Sequence, residues 1–142
     1  MDVQVNYWAV LLAALSSMVV GSLWYMPAVF GNSWMKLAKI KPNRSDMSAG
    51  SMVWMYGSVL VASLVTAYVL AHVTFLADKF FGGSFMWNAV STGFWLWLGF
   101  TAMRIFVHDT FEYRRKMLTL LNVSHELVTV LVMALIIGWL KP

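Results

Sequence analysis

Few residues in this chain have chemistry to offer, and those that do are close together. Asn122, His125, Glu126 and Thr129 have the i, i+3, i+4, i+7 spacing that lines side chains along one face of a helix. They sit inside an apolar run that begins just after Lys116, so Glu126 lies about 15 Å along that helix, near the middle of a hydrocarbon slab about 30 Å thick. An unpaired, ionised carboxylate at that depth costs several kcal/mol, on the order of what burial of a charge demands, so Glu126 must pair, hydrate or bind a proton. The preceding helix runs antiparallel across a short loop centred near Tyr113. That arrangement predicts Arg104 opposite Asn122 and one turn from Glu126. The group admits two readings. In one, Arg104 pins Glu126 or snorkels to the headgroups as a structural clamp; in the other, Glu126 is a carboxylate that binds a proton or a cation.

Other reactive groups are sparse or absent. His72, His108 and His125 share no obvious depth, so no common metal site is expected, and no cofactor is implied. Cysteine is missing, which removes disulfide scaffolds, thiolate zinc sites, iron-sulfur clusters and thiol redox relays. No Ser/His/acid constellation, phosphate loop or dinucleotide fingerprint is present, so no catalytic residue is assigned and an enzyme ranks below the other readings. Trp95 and Trp97 fall near mid-depth of their helix. They either line a pocket or fill gaps between helices.

These side chains have to be positioned by membrane helices. The chain is 61% hydrophobic and 11% charged with a mean hydropathy of +0.72, against roughly 45 to 50% and 25% in an average soluble domain. That excludes disordered tails and ordinary soluble enzymes. Four apolar runs, approximately 5–26, 52–77, 87–107 and 117–140, are each long enough to cross a bilayer. The expected fold is all-α: a polytopic integral membrane protein whose four transmembrane helices form one bundle, a single membrane domain over residues 1–142. The first run lacks the basic start and the small-residue cleavage site of a signal peptide and reads as a retained helix. Pro27 ends or kinks it. After it, Phe30, Trp34 and Leu37 recur at helical spacing while Lys36, Lys39 and Lys41 point elsewhere, which predicts a short interfacial amphipathic segment over approximately 28–39. Its lipid contacts would be Trp34, Lys36, Lys39 and Lys41. Small residues four apart (Ala13, Ser17 and Gly21; Ser63, Ala67 and Ala71; Ala134 and Gly138) predict close helix contacts.

Positive charge sets the expected threading. Lys36, Lys39, Lys41, Arg44, Arg104, Arg114, Arg115 and Lys116 fall on one side, against Lys79 and Lys141 on the other. Cytoplasmic loops retain such charge, so segments 27–51 and 108–116 are expected in the cytoplasm and both termini outside. The formal charge of +4 is thus explained by topology, and nucleic acid is not an expected partner. The partners implied are the lipid bilayer, including its anionic lipids, and further copies of the same chain in a homo-oligomer, because four helices leave little lumen.

Some of these residues also carry a resemblance. Asn6-Tyr7-Trp8-Ala9-Val10, Gly21 through Pro27, Phe30-Gly31 and Trp34-Met35 look like the opening of the domain of unknown function 1761 family. Trp97-Leu98-Gly99-Phe100, Phe111-Glu112, Leu120-Leu121-Asn122, His125 and Gly138-Trp139 are similar to the rest of its pattern. The resemblance spans nearly the whole chain and implies a small, mostly bacterial, four-helix membrane protein, placed in the cytoplasmic membrane; it supplies no activity. Arg104 and Glu126 depart from the pattern. The function expected is the binding or passage of a small solute, ion or proton along the polar face of the fourth helix, with a non-transporting accessory or lipid- or partner-binding role as the alternative.

Overall fold

The computed structural model describes residues 3–40 and 48–142; Lys41 and Arg44 lie outside them. In chain order the elements are α1 (Tyr7–Trp24), a π-helical turn (Pro27–Gly31), α2 (Asn32–Ala38), α3 (Ala49–Phe81), α4 (Phe85–Leu96), a second π-helical turn (Trp97–Ala102), α5 (Met103–Phe111) and α6 (Lys116–Trp139). The described residues are all-α. Four helical spans, Tyr7–Trp24, Ala49–Phe81, Phe85–Phe111 and Lys116–Trp139, are long and apolar enough to cross a membrane. The second is longer at both ends than its apolar run suggests, and the third continues through Phe111, leaving a short link before α6.

Local chemistry explains where the spans begin and stop. The Asn6 side-chain oxygen accepts from the amides of Trp8 (3.0 Å) and Ala9 (3.3 Å), capping α1. Its amide nitrogen donates to the Leu140 carbonyl at 2.8 Å, tying the start of α1 to the end of α6. Ser48 and Ser84 cap α3 and α4 through the amides of Ser51 and Trp87. Between α3 and α4 the chain turns through Gly82 (φ 65°) and Gly83 (φ 83°), a left-handed conformation that side chains resist. The Asn88 amide closes that turn, donating to Asp78 Oδ1 and to the Gly82 carbonyl, both at 3.0 Å.

The apolar core occupies the half of the bundle nearest the chain termini. It is built from Val10, Ala13 and Ala14 of α1, Ala67, Leu70 and Ala71 of α3, Phe85 and Ala89 of α4, and Val130, Met133, Ala134 and Ile137 of α6. Small residues bring these helices close: a Cβ on Gly138 would stand 2.7 Å from Met86 Sδ and 3.0 Å from Met86 Cα, and one on Gly93 3.2 Å from Ala134 Cβ. The Ser17 and Ser63 hydroxyls hydrogen-bond at 2.8 Å between α1 and α3. The other half, which carries α2 and the link 112–115, packs differently. No residue of α3 before Ala67 is buried, and Ala49 through Val59 are all exposed. The stretch Ala49–Val59 therefore stands clear of the bundle, and packing resumes from Leu60, Ser63 and Leu64.

Candidate functional site

The polar face of α6 lies in this second half, under an aromatic cap supplied by the end of α1 and the segment after it. The cap exists because Pro27 interrupts the helix and the next π-helical turn folds back on the preceding backbone. The Gly31 amide donates to the Met26 carbonyl at 2.9 Å, and a Cβ at position 31 would lie 2.3 Å from the Tyr25 carbonyl oxygen. Only glycine fits such an approach. The fold-back delivers α2 onto α6, where Trp34 Nε1 donates to Asn122 Oδ1 at 3.2 Å. Tyr25 packs edge-on to Trp34 with ring centroids 5.2 Å apart, and Trp24 packs on Phe30 at 4.6 Å.

His125 sits one turn deeper, against this cap. Its ring lies 5.0 Å from that of Tyr25 and 5.9 Å from that of Trp24, and a Cβ on Gly21 would stand 3.6 Å from Nε2. On the other side Nε2 approaches the hydroxyl of buried Thr129 at 3.5 Å. Glu126 is the next residue, with Oε1 3.4 Å from His125 Nδ1. That approach is close enough for charge attraction but not aligned as a hydrogen bond, and Nδ1 is buried without a hydrogen-bond partner. The Trp24 indole nitrogen beside it is also buried and unpartnered. Buried polar groups are nearly always satisfied; of the four orphaned side-chain groups among the described residues, two are these nitrogens and two, His72 Nδ1 and Thr74 Oγ1, lie on α3.

Exposure separates the two members of the pair. The His125 side chain is 13% exposed and that of Glu126 40%. Helical geometry accounts for this, since successive residues turn by about 100°. His125 points toward α1, and the Val123 carbonyl points toward Trp97, whose indole donates to it at 3.0 Å. Glu126 falls between those directions, on the face of α6 that continues as Thr129, Val130 and Met133. The carboxylate is therefore reachable while the imidazole is sheltered.

The sequence candidates are only partly brought together. Asn122, His125, Glu126 and Thr129 share the site. Arg104 does not join it: it is exposed and, among the described residues, forms no ion pair with Glu126. The expected opposition assumed an unbroken α-helix. The π-helical turn Trp97–Ala102, closed by the Met103 amide on the Leu98 carbonyl, inserts an extra residue and rotates the remainder of the span by about 100°, carrying Arg104 away from α6. The tryptophan pair is split by ordinary helix geometry, since residues two apart differ by about 200°. Trp97 is half-buried and bonded to α6, whereas Trp95 is 65% exposed on the bundle's outer surface. Trp34 is half-buried rather than free for lipid, while Lys36 and Lys39 are exposed, and Lys41 lies outside the described residues. His72 and His108 lie on α3 and α5, and among the described residues no three of His, Cys, Asp and Glu come together. Trp24 and Tyr25 were legible only as interfacial aromatics. The signal for their part in the site was the Pro27 and Gly31 pair, which turns the chain back.

This is a four-span helical membrane protein with a polar site half-way along its last helix, roofed by a fold-back after its first. The chain belongs to the family described as protein of unknown function (DUF1761), whose model matches residues 8–138, nearly its whole length. No curated protein and no solved structure matches it. Both halves of the family-like pattern, Trp24 through Trp34 and Asn122 with His125, meet at this one site, and both π-helical turns fall in segments that carry the resemblance.

Proposed function

We propose that this protein binds a proton or small cation at the His125–Glu126 pair and exchanges it with the side of the membrane that holds α2 and the link 112–115. The observation that carries this reading is the pair's geometry: a carboxylate 40% exposed stands 3.4 Å from a buried imidazole nitrogen that has no hydrogen-bond partner among the described residues. A proton arriving at Nδ1 converts that contact into an imidazolium–carboxylate pair, which is neutral as a unit and so tolerable at this depth. Thr129 and the aromatic cap hold the ring, and Asn122 with Trp34 closes the face one turn nearer the surface. In the sequence, eight of the ten basic residues fall in or beside the segments between the first and second and between the third and fourth spans, which supports an end that faces the cytoplasm of a bacterial cell with both termini outside. Further copies of the chain, packed on the exposed stretch Ala49–Val59 of α3, would make a homo-oligomer the working form.

The test is flux. Reconstituted in proteoliposomes with an imposed pH gradient, the parent protein is expected to dissipate the gradient faster than empty vesicles, and Glu126→Gln to lose that excess while retaining its near-UV circular dichroism. Parent vesicles that match empty ones would remove transport. Glu126→Gln that keeps full flux would remove the pair from the pathway and leave it as packing.

A further inference from the structure

A second feature, independent of the His125–Glu126 pair, lies nearer the surface at the same end. α2 and the link before α6 face each other across a groove of about 520 Å³, within the roughly 300 to 1,000 Å³ typical of small-ligand sites. Each wall carries both apolar and basic side chains. The apolar part is Leu37 and Ile40 with Leu118 opposite, and the polar part is Lys39, Arg114 and Arg115 against the single carboxylate of Glu112. Arg114 is held within its own link, bonded through Nε to Glu112 and 3.7 Å from buried Asp109. Lys39 and Arg115 make no ion pair among the described residues.

The backbone has been bent to present these cations. Among the described residues the non-glycine positions with positive φ are Lys39 (56°) and Tyr113 (53°), and both line this groove. A left-handed conformation at a residue with a side chain costs about 1 kcal/mol or more and gathers at functional segments. On one wall the left-handed turn ends α2 and sets Lys39 at the groove. On the other it ends α5 and lets the chain enter α6 through Arg114 and Arg115.

We propose that this groove binds the phosphodiester headgroup of an anionic phospholipid. Two cations without an ion pair among the described residues suit a singly charged phosphate with room for its glycerol. The aliphatic side chains suit the ester region and upper acyl chain, a pairing that a soluble phosphate would leave unused. The groove's place, level with the ends of the membrane spans, is where headgroups lie. The site differs from the plain basic surface that topology requires, because Lys36, exposed on the same short helix, does not line it.

Native mass spectrometry of the full chain tests the assignment. Protein in mild non-ionic detergent is exchanged against equal amounts of phosphatidylglycerol and phosphatidylcholine with identical acyl chains. Phosphatidylglycerol adducts are expected to dominate, to fall about thirty-fold in Lys39→Gln/Arg115→Gln, about five-fold per charge, and to persist in Lys36→Gln. If the double variant fails to fold, the single variants decide, each expected to lose about five-fold. Equal retention of the two lipids, an undiminished preference without both cations, or displacement of phosphatidylglycerol by millimolar glycerol 3-phosphate would each overturn it, the last by making the groove a soluble-phosphate site. Proton flux plays no part in this readout, so the groove and the His125–Glu126 pair can fail separately.

Discussion

Replacing Gly31 with alanine adds one methyl group, and the structure says where that methyl must go. It would lie 2.3 Å from the Tyr25 carbonyl oxygen and 2.9 Å from the Met26 carbonyl carbon and oxygen. All three are backbone atoms, so no side-chain rotation relieves the overlap, and the π-helical turn has to open. Overpacking of this kind costs about 1 to 3 kcal/mol. Opening the turn also lifts Trp34 from Asn122, a further cost of about 1 kcal/mol. The sum, about 2 to 4 kcal/mol, is expected in a reversible dodecyl sulfate titration from mild detergent, together with loss of the near-UV dichroism of Trp24, Tyr25 and Trp34. Gly57→Ala is the matched control. A Cβ there meets nothing within 4 Å on an exposed stretch of α3, so the same chemical change is expected to be neutral or to stabilise by about 0.5 to 1 kcal/mol. Were Gly31→Ala as stable as the parent, with its aromatic signal intact, the fold-back would not be what roofs His125.

Individual contacts give three further expected outcomes. Thr119→Val removes a 2.6 Å bond to the buried carboxylate of Asp109, and is expected to destabilise by about 1.5 to 3 kcal/mol in the same titration, as loss of a hydrogen bond to a charged group should. Gly138→Val drives a branched side chain into Met86 and should cost more than about 2 kcal/mol by overpacking α4 on α6; a neutral result would mean that these helices separate freely. Arg104→Gln should change stability by less than about 0.5 kcal/mol, because the guanidinium is exposed and, among the described residues, unpaired. A larger loss would restore the ion pair with Glu126 that the π-helical turn prevents.

The membrane class, the helical fold and the grouping of Asn122, His125, Glu126 and Thr129 were all legible in the sequence. Hydropathy and a 3.6-residue period are local quantities, and both survive whatever the neighbouring helices do. The small-residue ladders on α1 and α6 were legible for the same reason, since close approach in lipid needs little side chain at a fixed spacing. Register between helices was not. One extra residue in the turn Trp97–Ala102 rotates Arg104 out of the site, and no pattern of residue types announces it. Nor could spacing alone place Trp24 and Tyr25 on His125, which depends on how α1 packs on α6, or Trp34 on Asn122, which depends on a chain reversal whose closeness only Gly31 permits. What a residue prefers to be dissolved in is written in its own side chain; which partner it meets depends on backbone rotations that accumulate between distant positions, and those were decided only when the helices packed.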